Sequence, residues 1–284
     1  MKSSLKYLAV YRNKEKYTIT AMCRFFSVSR SGYYEYLKRM DVDDKDEALG
    51  IKIAQCQLKS IKTYGYRRVK IWLEREGFVV NHKKVLRIMN KYGLLSEIRR
   101  RRKYKYMGQQ LHKYENILNR QFYANKPNQK WVTDISYIHT GQGVLYLSMI
   151  RDLFDNSIVA YQTGTEQTVK LVSNTINKAI AQEKITTELQ LHSDQGFQYT
   201  SREYFKLTKE YNITPSMSRR GNCYDNAMAE NFFGILKAEC IYRNKLNSFE
   251  QARRLIDDYI FFYNFERIQL KTKLTPYEKR SQAV

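Results

Sequence analysis

This chain of 284 residues contains few prolines, which interrupt regular secondary structure, and few cysteines, which could form disulfide bonds. There are three prolines, no Ser/Gly-rich tract and no internal repeat, which excludes a long low-complexity linker and a repeat architecture. The four cysteines are scattered, without a Cys-x-x-Cys pair or zinc-type spacing to histidine, which indicates thiols in a reducing compartment. No apolar run is long enough to span a membrane, and the first residues do not resemble a secretory signal. We therefore expect a soluble cytoplasmic protein.

Acidic residues are also scarce relative to basic ones. Fifty Lys and Arg face 28 Asp and Glu, a net charge of +22, while 43% hydrophobic and 14% aromatic residues indicate a folded chain. The excess is uneven: residues 1–125 carry 29 basic and 11 acidic residues, and residues 126–284 carry 21 and 17. A basic front half followed by a near-neutral back half indicates a nucleic-acid-binding region followed by a region with another task.

The front half is predicted to contain two helical units. Residues 18–39 have the pattern of two short helices about a tight turn, with Ser29 or Ser31 capping the second. In residues 46–93, Asn81 is a helix cap, and Gly77 and Gly93 are helix stops. The residues predicted to face inward are Met22, Phe25, Phe26, Tyr33, Tyr34, Leu37, Val69, Trp72, Leu73, Val85, Leu86 and Met89.

Basic residues occur within these predicted helices and again after them in the sequence. Arg67 and Arg68 are candidate phosphate contacts, although a solvated surface charge has the same pattern. The densest positive run is RRRRKYK, residues 99–105. Because like charges repel, this run is expected to stay extended until it meets a polyanion. The candidate DNA contacts in it are Arg99, Arg100, Arg101, Arg102 and Lys103.

From residue 128 the pattern changes to strands. Three β-rich runs over 128–164 predict an antiparallel meander. Helix, strand, helix, strand and a long helix from about Tyr224 to Glu239 follow, and a last helix covers roughly 249–264, with Leu255, Ile256, Tyr259 and Tyr263 on one face. This order predicts an α/β domain behind an all-helical region.

Three acidic residues interrupt or end these apolar runs. Asp134 lies inside the first strand, Asp194 ends the strand LQLHSD, and Glu230 lies on the long helix. A carboxylate is costly in such a place unless it is paired or binds a metal, and oxygen ligands suit Mg²⁺ or Mn²⁺. Periodicity does not separate these acids from others nearby, and His192 is a conceivable further ligand. The competing acids are Asp152, Asp155, Asp225 and Glu239.

The segments WVTDIS, LHSDQGFQYTS and SRRGNCYDNAMAENFFGILKAE resemble the three blocks of the retroviral-integrase-like core of bacterial insertion-sequence transposases. Thirty-five residues lie between Asp194 and Glu230, the interval typical of that group. YGYRRVKIWL is similar to the helix–turn–helix segment of the third insertion-sequence family, and YIFFYNFERIQLKTKLTPYEKR to its C-terminal block. Many relatives carry a histidine shortly after the arginine of that block, whereas here Arg267 precedes Ile268 and Gln269.

This resemblance implies an RNase H-like, integrase-type α/β catalytic domain behind an all-α helix–turn–helix DNA-binding region. It implies that Asp134, Asp194 and Glu230 are catalytic and bind two Mg²⁺ or Mn²⁺ ions, and that Lys237 contacts DNA. The implied reaction nicks the element's ends and joins the 3′-hydroxyl to another phosphodiester. The predicted segments are 1–44 and 45–98 (helix–turn–helix-like), 99–126 (basic linker), 127–245 (catalytic core) and 246–284 (C-terminal helix and tail).

The resemblance also implies partners. These are the element's terminal inverted repeats, target DNA, further copies of the chain and, for many members, a small product of an upstream reading frame. We expect a bacterial, nucleoid-associated protein. Two alternatives stay open at this stage: an RNase H-like nuclease that cuts without joining, and a domesticated DNA-binding regulator without catalysis.

Overall fold

The computed structural model describes residues 3–40, 44–97, 114–185, 188–219 and 222–283. Two compact units are present, Met1–Lys52 and Ile53–Val284. Among the described helices, none is long and apolar enough to cross a membrane. The predicted DNA contacts Arg99, Arg100, Arg101, Arg102 and Lys103 lie outside the described residues.

The first unit contains the predicted pair of short helices and one more. Helices α1 (Ser3–Arg12), α2 (Ile19–Phe25) and α3 (Arg30–Met40) pack around a small apolar core. The hydroxyl of Ser29 accepts a hydrogen bond from Gly32 N at 3.1 Å, which makes Ser29 the cap. Two predicted inward residues are wrong: Phe25 is 81% exposed and Tyr34 is 45% exposed. The core residues are Val10, Met22, Cys23 and Tyr33.

Three further helices form the second helical region. These are α4 (Glu47–Lys59), α5 (Tyr66–Arg75) and α6 (His82–Lys91). Asn81 caps α6 as predicted, because its side chain accepts a hydrogen bond from Lys83 N at 2.8 Å. Gly77 and Gly93 follow α5 and α6 with φ of +85° and +66°, the left-handed conformation that glycine adopts without strain. Val85 and Met89 are buried as predicted, but Leu86 is exposed and Ile88 is buried, so one residue of the predicted face of α6 is wrong.

The predicted meander is confirmed. Strands β1 (Lys130–Thr140), β2 (Gly143–Asp152) and β3 (Ile158–Gly164) pair antiparallel in sequence order. Strands β4 (Leu189–Ser193) and β5 (Ile213–Met217) extend the other edge, where β4 runs parallel to both β1 and β5. The resulting five-stranded sheet has the order β3-β2-β1-β4-β5. Its central strand, β1, therefore lies between the meander and the parallel pair.

The helices of the back half complete the α/β domain. Helices α7 (Val169–Gln182) and α8 (Arg202–Glu210) follow β3 and β4, and their apolar faces join the sheet in one core. Large side chains fill this core, led by Trp131, Tyr199 and Tyr204. Dense packing of this kind holds β1 rigid, which matters because β1 carries Asp134.

The long helix and the tail differ from the prediction in detail. Residues Cys223–Asn226 form a 3-10 turn, and the helix proper, α9, is Ala227–Glu239, so the predicted start at Tyr224 is wrong. Helix α10 (Phe249–Phe265) buries Ile256, Tyr259 and Tyr263 as predicted. A short helix not predicted, α11 (Pro276–Ser281), follows a capping box at Thr275. The five segments predicted from the sequence stay a prediction.

Candidate active site

Two of the predicted acids come to the same level of the sheet. Val132 on β1 is the parallel partner of His192 on β4. Asp134 and Asp194 each lie two residues further along the chain, and parallel neighbouring strands advance in the same direction. The carboxylate inside the central strand and the one that follows the parallel strand therefore face a common region.

Helix α9 supplies the third acid. The side-chain Nδ2 of Asn226 donates a hydrogen bond to Thr133 O at 3.2 Å, so the start of α9 lies against β1 next to Asp134. Arg151 on β2 holds Met228 in the first turn of α9, because its Nη1 donates a hydrogen bond to Met228 O at 2.6 Å. Glu230 then occupies the first turn of the helix, with an exposed side chain.

The pKa shifts show that the three carboxylates interact. Burial raises the pKa of Asp134 well above its usual value, and the negative charge of Asp194 adds to this rise. Burial raises the pKa of Asp194 as well. The pKa of Glu230 is raised first by burial and then by the charge of Asp194. The structure thus brings all three predicted acids within electrostatic reach of one another.

Arginine partners distinguish the other acids from these three. Within the described ranges, neither Asp134 nor Asp194 nor Glu230 forms an ion pair. Each of the competing acids has an arginine within 3.1 Å; the pairs are Asp152 and Asp155 with Arg280, Asp225 with Arg120 and Arg219, and Glu239 with Arg267. Among these seven acids and within the described ranges, the three predicted ones are thus those without a basic side chain at ion-pair distance.

A hard divalent cation fits this donor set. The ligands are carboxylate oxygens, which Mg²⁺ and Mn²⁺ prefer, and a cation would relieve the repulsion that raises these pKa values. In the part of the chain that the structure describes, no three His, Cys, Asp or Glu side chains are already spaced to hold a metal ion.

Lys237 lies beside the acids. It follows Glu230 by seven residues, which places both on one face of α9. Its Nζ is 5.7 Å from the ring centroid of Tyr137, an exposed residue of β1. Burial lowers the pKa of Lys237, while the charge of Asp134 opposes this shift. A half-buried ammonium group near Asp134 has the charge needed to bind a phosphate group. Contact of Lys237 with DNA stays a prediction.

His192 is engaged within the protein. Its Nδ1 is 2.8 Å from Ser216 Oγ and its Nε2 is 3.1 Å from Ser218 Oγ, so both ring nitrogens have partners. Burial lowers the pKa of His192 to about 4, which keeps the ring neutral at physiological pH. The residue ties β4 to β5 and its following loop, and thereby orients the strand end that precedes Asp194.

The two arginines predicted at the start of α5 differ in their surroundings. Arg67 is exposed, with its Nε 3.2 Å from Tyr66 Oη. Arg68 is half-buried, and its Nε donates to Ile268 O at 3.0 Å. Arg67 is therefore free to meet a phosphate, whereas Arg68 has a structural contact in the C-terminal tail. DNA contact by either residue stays a prediction.

Asp225, one of the competing acids, has a structural role next to the three predicted acids. This fully buried carboxylate accepts hydrogen bonds from the guanidinium groups of Arg120 and Arg219 at 2.8–3.0 Å. Asn116 Nδ2 donates another at 2.9 Å. These contacts hold the pKa of Asp225 well below its usual range, with the hydrogen bond from Arg219 as the largest cause. The cluster fixes the 3-10 turn from which α9 starts. In the sequence, the polar block GNCYDNA was the feature that could have indicated it.

Family models match most of the chain from residue 43 onward. An integrase core domain matches residues 124–223, a second integrase core domain matches 230–284, and an HTH-like domain matches 43–102. The putative transposase InsK of insertion sequence element IS150 from Escherichia coli K12 is 38% identical over 95% of each chain. The chain belongs to the transposases of the third insertion-sequence family. Transposase InsF of insertion sequence IS3A from the same organism is 32% identical over 90% of this chain and 91% of its own.

Structural comparison confirms the fold of this transposase-family chain. A chain of the simian T-cell lymphotropic virus intasome in complex with PP2A regulatory subunit B56 gamma has a TM-score of 0.50 and 16% identity. The match covers 79% of this chain and 73% of that one. The predicted fold class, an RNase H-like integrase-type α/β domain preceded by a helical helix–turn–helix region, is confirmed.

Proposed function

We propose that this protein is a DNA transposase that nicks the ends of its mobile element and joins the freed 3′-hydroxyl to another phosphodiester. The observation that carries the proposal is the set of three carboxylates without arginine partners, which interact on β1, after β4 and on α9. Family membership supports DNA transposition by an integrase-type enzyme, and hence a polynucleotidyl transferase.

In this proposal Asp134, Asp194 and Glu230 hold two divalent ions, Mg²⁺ or Mn²⁺. When bound, such ions activate the attacking oxygen and stabilise the charge on the leaving oxygen. The chain's own part is to fix the carboxylates on a strand, a strand end and a helix, with Asp134 and Asp194 half-buried and Glu230 exposed beside them. Lys237 stands ready to bind a phosphate oxygen beside them.

The chemistry balances without a covalent enzyme intermediate. In nicking, the oxygen of water bonds to phosphorus, the bond from phosphorus to the 3′-oxygen breaks, and the proton is passed to that oxygen. In joining, the 3′-hydroxyl replaces water as the nucleophile, so one phosphodiester is exchanged for another. Both steps need an oriented nucleophile and stabilised charge, which is the arrangement that the three acids and Lys237 offer.

DNA is the proposed partner on three grounds. The front half carries most of the chain's excess positive charge, and Arg67 is exposed on α5. The Arg99–Lys103 run adds five consecutive cations. We also propose that the chain assembles with further copies on the DNA, and that a small upstream product assists end recognition. The protein would then act in the bacterial cytoplasm, at the nucleoid.

The test of the proposed site is Glu230→Gln, with Glu210→Gln on α8 as the matched control. Both glutamates are exposed and helical, so loss of charge alone cannot explain a difference. We expect Glu230→Gln to abolish cleavage of element-end DNA in Mg²⁺ while gel-shift affinity and the circular dichroism spectrum stay as in the wild type. Wild-type cleavage by Glu230→Gln would overturn the site assignment.

A further inference from the structure

The C-terminal block contains a three-residue segment that contacts two separate parts of the molecule. Residues 266–268, here called the tail bracket, follow the end of α10, where Arg267 N donates to Phe262 O at 2.8 Å. On one side of the tail bracket is the second helical region. On the other is α9, which carries Glu230 and Lys237.

The helical region holds the tail bracket through Tyr64. This tyrosine is 2% exposed, and its hydroxyl donates to Glu266 O at 3.0 Å and accepts from Ile268 N at 2.7 Å. Arg68 adds a bond from Nε to Ile268 O at 3.0 Å, and its guanidinium lies 5.7 Å from the Tyr64 ring centroid. One phenol and one guanidinium thus bind three backbone atoms of the tail bracket, on Glu266 and Ile268.

Helix α9 holds the same segment through Arg267. Its guanidinium donates two hydrogen bonds to the carboxylate of Glu239, at 2.8 and 2.6 Å. The hydroxyl of Tyr259 donates to that carboxylate as well, at 2.7 Å. Both charged residues are at most 5% exposed, so the pair is sealed from water and its geometry is fixed at two points.

Two outer contacts join the same parts. Arg243, just after α9, donates to Ile61 O and forms an ion pair with Glu97. Arg75 at the end of α5 forms a two-point ion pair with Glu278 of α11. These side chains are more exposed than Arg267 and Ile268 of the tail bracket, so they lie at the periphery of a buried centre.

We propose that the tail bracket fixes the second helical region against the active-site helix, and that Tyr64 and Arg267 are positioning residues for the transposition reaction. The proposal rests on the proposed function, because it assigns the bracket the task of presenting DNA held by α5 and α6 to Glu230 and Lys237. Glu239 lies nine residues after Glu230 on one continuous helix, a distance of about 14 Å. A helix of this length is rigid, so a shift at its bracketed end moves Glu230.

Tyr64→Phe is the sharpest test, because it removes one hydroxyl and keeps the ring. The change leaves Ile268 N–H and Glu266 C=O without their partner, and we expect end-specific cleavage in Mg²⁺ to slow by about tenfold. Affinity for element-end DNA should stay within about twofold, since the phenol faces the tail. Hydrogen exchange should quicken in peptides covering 60–75 and 262–270.

Tyr242→Phe is the matched control, because Tyr242 is 62% exposed in the turn after α9 and should behave as the wild type in all three measurements. Arg267→Lys keeps the charge beside Glu239 but loses the two-point geometry, and should slow cleavage without loss of DNA affinity. Unchanged cleavage in Tyr64→Phe despite faster exchange would overturn the positioning role. If melting temperature, DNA affinity and cleavage all fell together in Tyr64→Phe, the positioning role would be overturned and the tail bracket would have a stabilising role alone.

The two proposals fail in different ways. If the wild type makes no metal-dependent cut at element ends, the proposed function fails, and with it the presentation of DNA. The exchange data then still decide whether the tail bracket holds the helical region: unchanged exchange in Tyr64→Phe contradicts the docking itself. If the wild type cuts and Tyr64→Phe cuts equally well, only the inference about the bracket is lost.

Discussion

The buried ion pair between Arg267 and Glu239 allows the loss of folding free energy in a variant to be predicted. Arg267→Met removes both guanidinium bonds and leaves a carboxylate that is 5% exposed, to which, among the described side chains, the Tyr259 hydroxyl still donates. Breaking a buried pair from one side costs about 3–5 kcal/mol, because the remaining charge stays out of water. At roughly 2–4 °C per kcal/mol, the melting temperature should fall by about 6–20 °C.

Tryptophan fluorescence during urea unfolding measures this loss. The chain has two tryptophans, Trp72 and Trp131, and both lie in the unit Ile53–Val284, so the signal reports on the unit that contains the pair. Arg254→Met is the control: its partner Glu250 is 72% exposed, and a surface pair at this spacing contributes at most about 0.5 kcal/mol.

A double variant separates the lost charge balance from lost packing. Arg267→Met combined with Glu239→Leu removes both charges, and apolar replacement of a whole buried pair is often close to neutral. We therefore expect the double variant to recover most of the stability that Arg267→Met loses. A single variant that loses less than about 1 kcal/mol, or a double variant as unstable as the single one, would refute the reasoning.

Three further predictions follow from charges elsewhere. Replacing Arg99 to Arg102 with glutamine should weaken DNA binding and reduce the slope of log affinity against log salt by up to about 4; an unchanged slope would rule out phosphate contacts there. Asp134→Asn should raise the melting temperature in EDTA at pH 7.5, because an acid whose pKa is raised in the fold lowers stability once the pH exceeds its ordinary unfolded-state value; a fall would contradict this. Asp225 has a lowered pKa, so its stabilisation is complete above pH of about 4 and falls progressively as the pH drops toward the lowered folded-state value; urea unfolding at pH 7 and pH 3 should show a smaller acid loss in Asp225→Asn.

The sheet was predictable because its pattern is strong. Strands β1 to β3 are three β-rich runs separated by short turns, and this sequence of runs and turns indicated the meander even though stretches of β1 and β2 are buried without alternation. The short helices were harder. On α2 and α6, residues at the edge of the apolar stripe share its hydrophobic type, and Phe25 and Leu86 fall just outside it.

The site was only partly predictable from the residues themselves. Acids such as Asp155 and Glu239 interrupt apolar segments in the same manner as Asp134. What separates them is an arginine far along the chain: Arg280 lies 125 residues from Asp155, and Arg267 lies 28 residues from Glu239. No local window contains that information, and the family resemblance supplied it.

The start of α9 shows a second limit. Residues 223–239 have one helical pattern, yet Cys223–Asn226 tighten into a 3-10 turn. The cause is tertiary: Asp225 is held by Arg120 and Arg219, and Asn226 by the backbone of β1. Contacts of this kind override helix propensity at the end of a helix. They also fix the position of the first turn of α9, which carries Glu230.

Strand transfer by wild type and Asp194→Asn, each in Mg²⁺ and in EDTA, tests the central claim most directly. The substrate is the DNA of the element's own ends, and the products are separated by size so that nicked and joined strands are both seen. We predict joined products for the wild type in Mg²⁺, and neither nicks nor joints for Asp194→Asn or for either protein in EDTA. Cleavage without joining would favour a nuclease, binding without chemistry a regulator, and joining by Asp194→Asn would contradict the three-carboxylate site.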